Sequence, residues 1–369
     1  MKSFLSDFTG AFADGAILFP LLAALSLKGG FSATALLFTA GLAYLAAGIW
    51  FRVPMAIQPL KSIAIAAISI GAGLGEIRAS GALLGLVCLG LTCFDVNRLG
   101  QRVPRSLIHG LQAALGVLLI LQGAKFDSSF LALLLVAIMV GLPALVRFPV
   151  LGVVATLGLA WTVVNGALHP QLAQPTTALP HHEAFRPAIV AALVFPQIAL
   201  TLGNSVVGTE DVARRYFGER ASRVTIRALL TSIGLGNLVS AAIGGLPYCH
   251  GSGGVTAHVR GGARHWRANA IIGGFLLALA AAQALGGHVR LEFPAMLIAA
   301  LLASTGVFHI GLAKPTWDSL PGKLELAVMA LTAAFTRNML LVLAVGVAYE
   351  MLQVALFRSR LKTKAEALS

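Results

Sequence analysis

The chain has 369 residues, of which 57% are hydrophobic and only 11% are charged, whereas soluble domains average roughly half and a quarter. This composition indicates a membrane protein of more than a dozen helices at about 20 apolar residues each, with no stretch long enough for a separate soluble catalytic domain. The net charge of +13 would suggest a nucleic-acid partner in a soluble protein. In a membrane protein it reflects basic loops held in the cytoplasm, so no nucleic-acid partner is expected.

Charged residues and Gly or Pro punctuation divide the chain into fourteen apolar segments, each of a length suited to a membrane span. They are predicted at residues 4–27, 31–51, 54–74, 79–97, 105–124, 128–146, 149–167, 186–208, 223–244, 247–262, 268–286, 291–311, 323–337 and 339–357.

The basic residues support this count. With a cytoplasmic N-terminus, 20 of the 27 Lys and Arg residues fall in cytoplasmic connections and tails, and six fall in outer connections. One missed or added helix would invert every later loop and remove this asymmetry. The sequence therefore predicts a multi-pass protein of the cell's inner (plasma) membrane, with cytoplasmic N- and C-termini.

The spans form two sets of seven on either side of the longest loop. Because seven is odd, the second set must be inverted relative to the first, which is the inverted-repeat architecture of secondary transporters. The first helix of each set carries a Phe-Pro pair, Phe19-Pro20 and Phe195-Pro196. The predicted all-α integral membrane fold has a first repeat at 1–167, an extracytoplasmic linker loop at 168–185, an inverted second repeat at 186–357 and a cytoplasmic tail at 358–369.

The third span begins with a stretch that is not expected to be helical. Pro54 and Pro59 each bias the preceding residue to extended geometry, and Pro59 suits the first position of a helix. We therefore expect a half helix whose N-terminus lies in mid-membrane, with Gln58 near its cap and Lys61 in its first turn.

The tenth span has a matching break. The run Gly244-Gly245-Leu246-Pro247-Tyr248-Cys249-His250-Gly251-Ser252-Gly253-Gly254 precedes a helix predicted from Val255. Glycine in hydrocarbon exposes backbone N–H groups that lipid cannot satisfy. These groups are explained if they point at a ligand, so the run predicts a second half helix that faces the first.

Two half-helix N-termini in mid-membrane bring roughly half a positive charge each to one place and offer N–H donors to an anion. Lys61 adds a full charge at a cost of about 3 kcal/mol. The combination predicts a site for a small, doubly charged oxyanion; the alternative is a lysine that snorkels or pairs with Asp14. The candidate substrate-binding residues are Gln58, Lys61, Ser62, Asn204, His250, Gly251, Ser252, Gly253 and Gly254.

At these motifs the sequence resembles a known family. PMAIQPLKSIA and NLVSAAIGGLPYCHGSGGVTAHVRGGAR are similar to the two signature motifs of the molybdate transporter family, relatives of the sulfate permeases, and FPQIALTLGNSVVGT resembles that family's run in the eighth span. The resemblance implies a seven-plus-seven inverted repeat with core and gate domains. It also implies a substrate held between the third and tenth spans and contacted by the first and eighth. Sulfate permeases generally continue into a cytoplasmic STAS domain, which is not expected here.

Asp14 and His250 are the candidates for coupling transport to protons. Asp14 either carries a proton, balances the charge of Lys61 or caps a kink in the first span. His250 either donates to the anion and titrates near neutral pH or makes a structural hydrogen bond. Asp7, near the membrane edge, is expected to be solvated.

Other polar residues are less informative. Gln197, Thr201 and Asn204 form one stripe on the eighth span, which indicates either substrate contact or hydrogen bonding between helices. His109 and His309 have no metal-ligand companions at a useful spacing and are expected to be non-functional. No metal or other cofactor is expected, and the cysteines are expected to be reduced thiols.

The leading interpretation is a secondary transporter that imports molybdate, with sulfate as the main rival substrate. Import of a dianion against an inside-negative potential costs about 4.6 kcal/mol per 100 mV, so proton symport is expected. A nucleobase permease would favour a carboxylate in the eighth or tenth span, and a membrane enzyme would need clustered acidic residues. The residues found in the spans disfavour both of these functions. An uncoupled anion channel is kept as an alternative function. The expected partners are the oxyanion, protons, membrane lipids and, in a homodimer, a second copy of the chain.

Overall fold

A computed structural model of the protein describes residues 2–94, 104–145, 185–285 and 294–366, together with 153–154, 157–158 and 160–161. The predicted seventh span at 149–167 lies mostly outside the described residues, and so does nearly all of the predicted linker loop at 168–185. The described part is almost entirely helical, and the elements of each half are given below in chain order.

The first half begins with a broken span and contains one short strand. Its elements are α1 (Lys2–Ala11), α2 (Gly15–Gly29), α3 (Ala33–Phe51), β1 (Gln58–Pro59), α4 (Lys61–Ile70), α5 (Leu74–Leu91), α6 (Arg105–Phe126) and α7 (Phe130–Leu145).

The second half contains the matching strand. Its elements are α8 (Pro187–Leu200), a π-helical segment (Thr201–Val207), α9 (Gly208–Phe217), a 3-10 turn (Gly218–Ala221), α10 (Ile226–Ile243), β2 (Tyr248–Cys249), α11 (Ser252–Arg260), α12 (Arg267–Ala284), α13 (Ala295–Leu312), a 3-10 turn (Lys314–Asp318), α14 (Leu320–Thr336) and α15 (Met339–Glu366).

Eight helical stretches in the described part of the chain are long and apolar enough to cross a membrane. The half helices α4 and α11, of 10 and 9 residues, are not among them. Each is preceded by a non-helical stretch that contains prolines or glycines. The prediction of half helices in the third and tenth spans is therefore confirmed.

Two helix contacts between the halves are related by the repeat. α3, the second span, packs on α12, the eleventh, while α5, the fourth, packs on α10, the ninth. Exchanging each span for the one seven places away converts the first contact into the second, as a two-fold relation between the repeats requires.

Glycines allow close approach at both of these crossings. A Cβ added to Gly41 would lie 2.9 Å from Gly273 O, and one added to Gly85 would lie 2.8 Å from Gly234 O. Small residues of this kind let membrane helices pack backbone against backbone. The same arrangement brings α6, the fifth span, against α13, the twelfth.

The first span differs from the prediction of one helix over 4–27. The chain turns at residues 12–14, between α1 and α2, where Gly10 and Gly15 lower the helix propensity on both sides. Asp14 occupies the N-cap position of α2 but makes no side-chain cap hydrogen bond. The break therefore leaves its carboxylate available for contacts elsewhere in the protein.

Asp7 is buried, so the expectation that it is solvated is wrong. Its carboxylate accepts hydrogen bonds from the backbone of Arg264 at 2.7 Å and of His265 at 3.1 Å, and its relative exposure is 0%. The reason is that α1 folds against the loop after α11, where Ser6 also donates to Gly262 O. A position near a predicted membrane edge is here covered by protein.

Two helices extend beyond their predicted ends. The eighth span, predicted at 186–208, continues through α9, where Arg214 pairs with Glu210 and Arg215 with Asp211 at i, i+4 spacing, an arrangement that favours helix. The last helix runs to Glu366, into the predicted tail at 358–369, because that segment is rich in Leu, Lys, Arg and Ala, which are good helix formers.

Candidate functional site

A buried two-stranded pairing joins the two broken spans. β1 and β2 are antiparallel, with Gln58 opposite Cys249 and Pro59 opposite Tyr248. Leu60 N donates to Pro247 O at 2.9 Å and extends the pairing. Because α4 and α11 each begin within three residues of this pair, their N-termini meet in the protein interior.

The N-terminus of α11 presents N–H groups without acceptors. Gly254 N and Val255 N donate to Gly251 O at 3.0 and 3.1 Å, so the helix begins earlier than the Val255 predicted from sequence. The N–H groups of Ser252 and Gly253 have no acceptor among the described residues. Two adjacent donors at a helix N-terminus are suited to an anion.

Lys61 is the first residue of α4, and only 6% of it is exposed. No carboxylate in the described residues lies within 4.0 Å of its ammonium group. A Cβ added to Gly251 would lie 3.4 Å from Lys61 Nζ, so the charge lies beside the N-terminus of α11. Lys61 also opens onto a cavity, which is further lined by Gln112, Leu115, Gln197, Leu200, Asn204, Ser205, Cys249 and His309.

The eighth span supplies hydrogen bonds to both half helices. Gln197 Oε1 accepts from Ser62 N at 2.9 Å, which occupies one donor at the N-terminus of α4. Asn204 Oδ1 accepts from the hydroxyl of Ser252 at 2.7 Å and from Gln112 Nε2 at 3.5 Å. Gln197 and Asn204 therefore take part in hydrogen bonding between helices while also lining the cavity.

Asn204 owes its position to the π-helical segment Thr201–Val207. Such segments are wider than an α-helix and occur often at functional sites. The hydroxyl of Thr209 donates to Asn204 O at 3.3 Å and to His250 O at 2.8 Å. The segment thereby connects the eighth span to the turn before α11.

The glycines at α11 differ in the room around them. A Cβ added to Gly251 or Gly254 would overlap the side-chain amide of Gln58, so both glycines are needed where the broken spans pack. Among the described residues, a Cβ added to Gly253 would meet only Phe308 of α13, at 3.4 Å. Gly253 therefore faces the space between α11 and α13.

Asp14 contacts the strand pair through Gln58, and its carboxylate is not within hydrogen-bonding distance of Lys61. Its carboxylate accepts hydrogen bonds from Gln58 Nε2 and, at 3.1 Å, from the hydroxyl of Tyr44. The hydroxyl oxygen of Tyr44 also lies 3.2 Å from Ile57 O. Asp14, Tyr44 and Gln58 are each completely buried, so this carboxylate is held by neutral donors on the two neighbouring spans.

His258 is a buried ionisable residue that the sequence analysis missed. Its Nδ1 donates to Gly10 O at 2.8 Å, and its Nε2 lies 4.0 Å from Asp14 Oδ2. Nε2 is buried and has no hydrogen-bond partner among the described residues. The available signal was the presence of a histidine inside the predicted tenth span, because ionisable residues within a membrane helix are usually functional.

Both ring nitrogens of His250 are engaged in hydrogen bonds. Nδ1 lies 2.9 Å from Ala56 O, and Nε2 lies 2.9 Å from the hydroxyl of Ser232. The ring packs edge-on against Phe51 and Tyr248. This geometry favours the structural alternative for His250, since neither nitrogen is left for a ligand.

The chain is similar in sequence to molybdate transporters. The family described as "Molybdate transporter of MFS superfamily" matches residues 6–119 and 190–308, which include both half helices. Molybdate transporter 1 of Arabidopsis thaliana is 26% identical, with 83% of this chain and 79% of that protein covered. Molybdate transporter 1 of Chlamydomonas reinhardtii is 32% identical over 47% of this chain and 32% of its own length.

Solved structures share the fold. The transmembrane domain of the cyanobacterial bicarbonate transporter BicA aligns with a TM-score of 0.63 and 19% identity, covering 94% of this chain and 98% of that domain. The murine anion transporter Slc26a9 in its inward-facing state aligns with a TM-score of 0.67 and 15% identity, covering 96% and 68%. These likenesses establish the seven-plus-seven inverted-repeat fold. Because the family match spans more than half of the chain, and both of its halves, this multi-pass membrane protein belongs to the molybdate transporter family.

Proposed function

We propose that this chain is a secondary active transporter that imports molybdate by alternating access, with the anion bound between the third and tenth spans. The observation that carries the proposal is the buried Lys61 ammonium group beside the N-terminus of α11, with no carboxylate of the described residues within 4.0 Å. A positive charge without a negative partner in a protein interior is costly, and a bound oxyanion would offset that cost.

The site residues divide into ligands and supports. Lys61 and the N–H groups of Ser252 and Gly253 are the proposed ligands, because within the described residues the two N–H groups have no acceptor and the ammonium group has no carboxylate within 4.0 Å. The supporting residues hold those donors in place. Gln58 packs against Gly251 and Gly254 where the broken spans meet, and Asn204 accepts a hydrogen bond from the hydroxyl of Ser252. Gln197 accepts a hydrogen bond from Ser62 N, and His250 bonds to Ala56 O and so anchors the turn before α11.

We assign proton coupling to Asp14, assisted by His258. A dianion needs about 4.6 kcal/mol per 100 mV to enter against an inside-negative potential, and co-transported protons remove that cost. Asp14 is completely buried, bonded to Gln58 on the substrate-binding span, and within 4.0 Å of an imidazole nitrogen that lacks a hydrogen-bond partner in the described residues. Protonation of Asp14 would alter its hydrogen bond with Gln58, which is part of β1.

The first test is a binding titration of purified protein with molybdate, tungstate and sulfate side by side. Molybdate is expected to bind more tightly than sulfate, because the family match is to molybdate transporters. Tighter sulfate binding would favour the rival, a sulfate transporter of the same fold. Failure of all three anions to bind a folded sample would contradict the oxyanion site itself.

The same preparation in proteoliposomes tests coupling. An outside-acidic pH gradient is expected to drive molybdate accumulation, and Asp14→Asn is expected to abolish that accumulation while leaving anion binding largely intact. Uptake that follows only the anion gradient in the unmodified protein would indicate an uncoupled channel.

We place both termini in the cytoplasm and the protein in the plasma membrane, because 20 of the 27 Lys and Arg residues then lie on the cytoplasmic side. In a cysteine-free background, single cysteines near Arg220 and Lys362 are expected to resist an impermeant thiol reagent added outside, while one at Gln174 reacts. Outside labelling near Arg220 would contradict this orientation.

A further inference from the structure

His309 on α13 has a fixed tautomer. Its Nδ1 lies 2.9 Å from Thr305 O, and only 2% of the residue is exposed. A carbonyl oxygen can only accept a hydrogen bond, so Nδ1 must carry the hydrogen. In the neutral ring, Nε2 then has a lone pair and no hydrogen.

The residue that carries this lone pair lines the cavity beside Lys61. His309 borders the cavity together with Lys61 and Asn204, and its Nε2 is buried with no hydrogen-bond partner in the described part of the chain. Nδ1 is bonded to the histidine's own helix, so Nε2 is directed away from that helix. A lone pair directed at an oxyanion repels it, whereas an N–H at the same position would bind it.

The charges around His309 explain when such an N–H would form. The ionisable groups that line the cavity with it are Lys61 and Cys249. No described carboxylate lies within 4.0 Å of the ring, and repulsion from Lys61 opposes a second positive charge. An oxyanion placed between the two cations removes this repulsion.

In the described part of the chain, the helices packed against α13 add no acidic partner. α7 carries no ionisable residue, and the carboxylate of Asp14, before α2, is bonded to Gln58 and Tyr44. Asp318, in the 3-10 turn after α13, is exposed. The remaining ionisable residues on these elements are Lys28, Arg105, His109, Lys125 and Lys314.

We propose that His309 takes up a proton at Nε2 when the oxyanion binds, so that anion and proton occupy the same cavity together. This rests on the proposed function, because it requires an oxyanion at Lys61. It deepens that function because His309 becomes a second proton site, in addition to Asp14. One proton at each site would balance a dianion, and transport would then be insensitive to the membrane potential.

The affinity for the anion is expected to depend on pH. The bound state holds one more proton than the empty state, so anion affinity is highest at low pH and decreases as the pH rises. The decrease approaches about tenfold per pH unit wherever uptake approaches one proton per anion, and affinities measured from about pH 5 to 8 test it.

Calorimetric titration with molybdate in buffers of different ionisation enthalpy measures the protons taken up per anion bound. His309→Gln, which keeps a polar side chain but cannot titrate, is expected to take up about one proton fewer per anion than the unmodified protein. His109→Gln is the matched control, because His109 is bonded to Thr316 and does not line the cavity. It is expected to retain the uptake of the unmodified protein.

Molybdate binding with the same proton uptake in His309→Gln would overturn the inference while leaving the proposed function intact. Absence of molybdate binding in the unmodified protein would instead contradict the proposed function. If His309→Gln does not fold, the unmodified protein decides, because an affinity that is constant over this pH range is incompatible with proton uptake at His309.

Discussion

Replacing Lys61 by methionine is expected to lower the affinity for molybdate about ten- to a hundredfold. Methionine keeps the apolar stem and removes only the charge. A hydrogen bond to a charged group contributes about 1.5 to 3 kcal/mol, and each 1.4 kcal/mol or so corresponds to a factor of ten. Lys61 is the charged ligand in the proposed set, so its loss cannot be replaced by the backbone donors of α11.

Lys323→Met is the matched control. Lys323 is exposed, lies on α14 and does not line the cavity, so its replacement removes one positive charge without touching the site. Affinity should remain within about twofold of the unmodified value, because exposed charges at a distance are screened by salt. Equal affinity in both variants, with both proteins folded, would show that Lys61 is structural.

The two broken spans were predictable because their causes are local. Pro54 and Pro59 restrict the backbone whatever surrounds them, and the glycine-rich run from Gly244 to Gly254 cannot form an ordinary membrane helix at low cost. Lys61 was recognisable for a related reason, since a charge within a span is expensive wherever the span lies. These signals require no knowledge of which helices are neighbours.

The contacts behind the strand pair were not predictable, because they depend on how distant spans cross. Asp14 comes from the first span, Tyr44 from the second and His258 from the tenth, and nothing in their spacing relates them. Gln112 and His309 reach the cavity from the fifth and twelfth spans in the same way. His309 was judged by its neighbours in sequence, and its place beside the cavity that Lys61 lines is visible only in the folded chain.

Asp7 and Asp14 illustrate the same limit within one span. Their spacing of seven residues would put both on one face of a continuous helix, but the turn at 12–14 separates them. Asp7 then binds the loop after α11, and Asp14 binds Gln58. Each carboxylate is explained by a partner more than 40 residues away in the sequence, so local helix geometry could not assign either role.

Replacing Gly253 by valine is expected to abolish molybdate binding while the protein still folds. The only described residue that the new Cβ would meet is Phe308, at 3.4 Å from its ring, so the packing of the two broken spans is expected to be kept. The branched side chain would fill the space in front of the N–H groups of Ser252 and Gly253, which an anion must approach closely. Gly251→Val would not separate these effects, because its side chain would overlap Gln58.

Two comparisons isolate the obstruction. Gly274→Val makes the same change at an exposed position on α12 with nothing within 4 Å, and should leave the affinity unchanged. Ser252→Ala removes a hydroxyl but no N–H group, so it should cost only about 0.5 to 1.5 kcal/mol. Molybdate binding by folded Gly253→Val at the affinity of Gly274→Val would place the anion away from the N-terminus of α11. Lys61 alone would then have to account for binding, and a point charge without the paired helix termini does not explain why the two broken spans face each other.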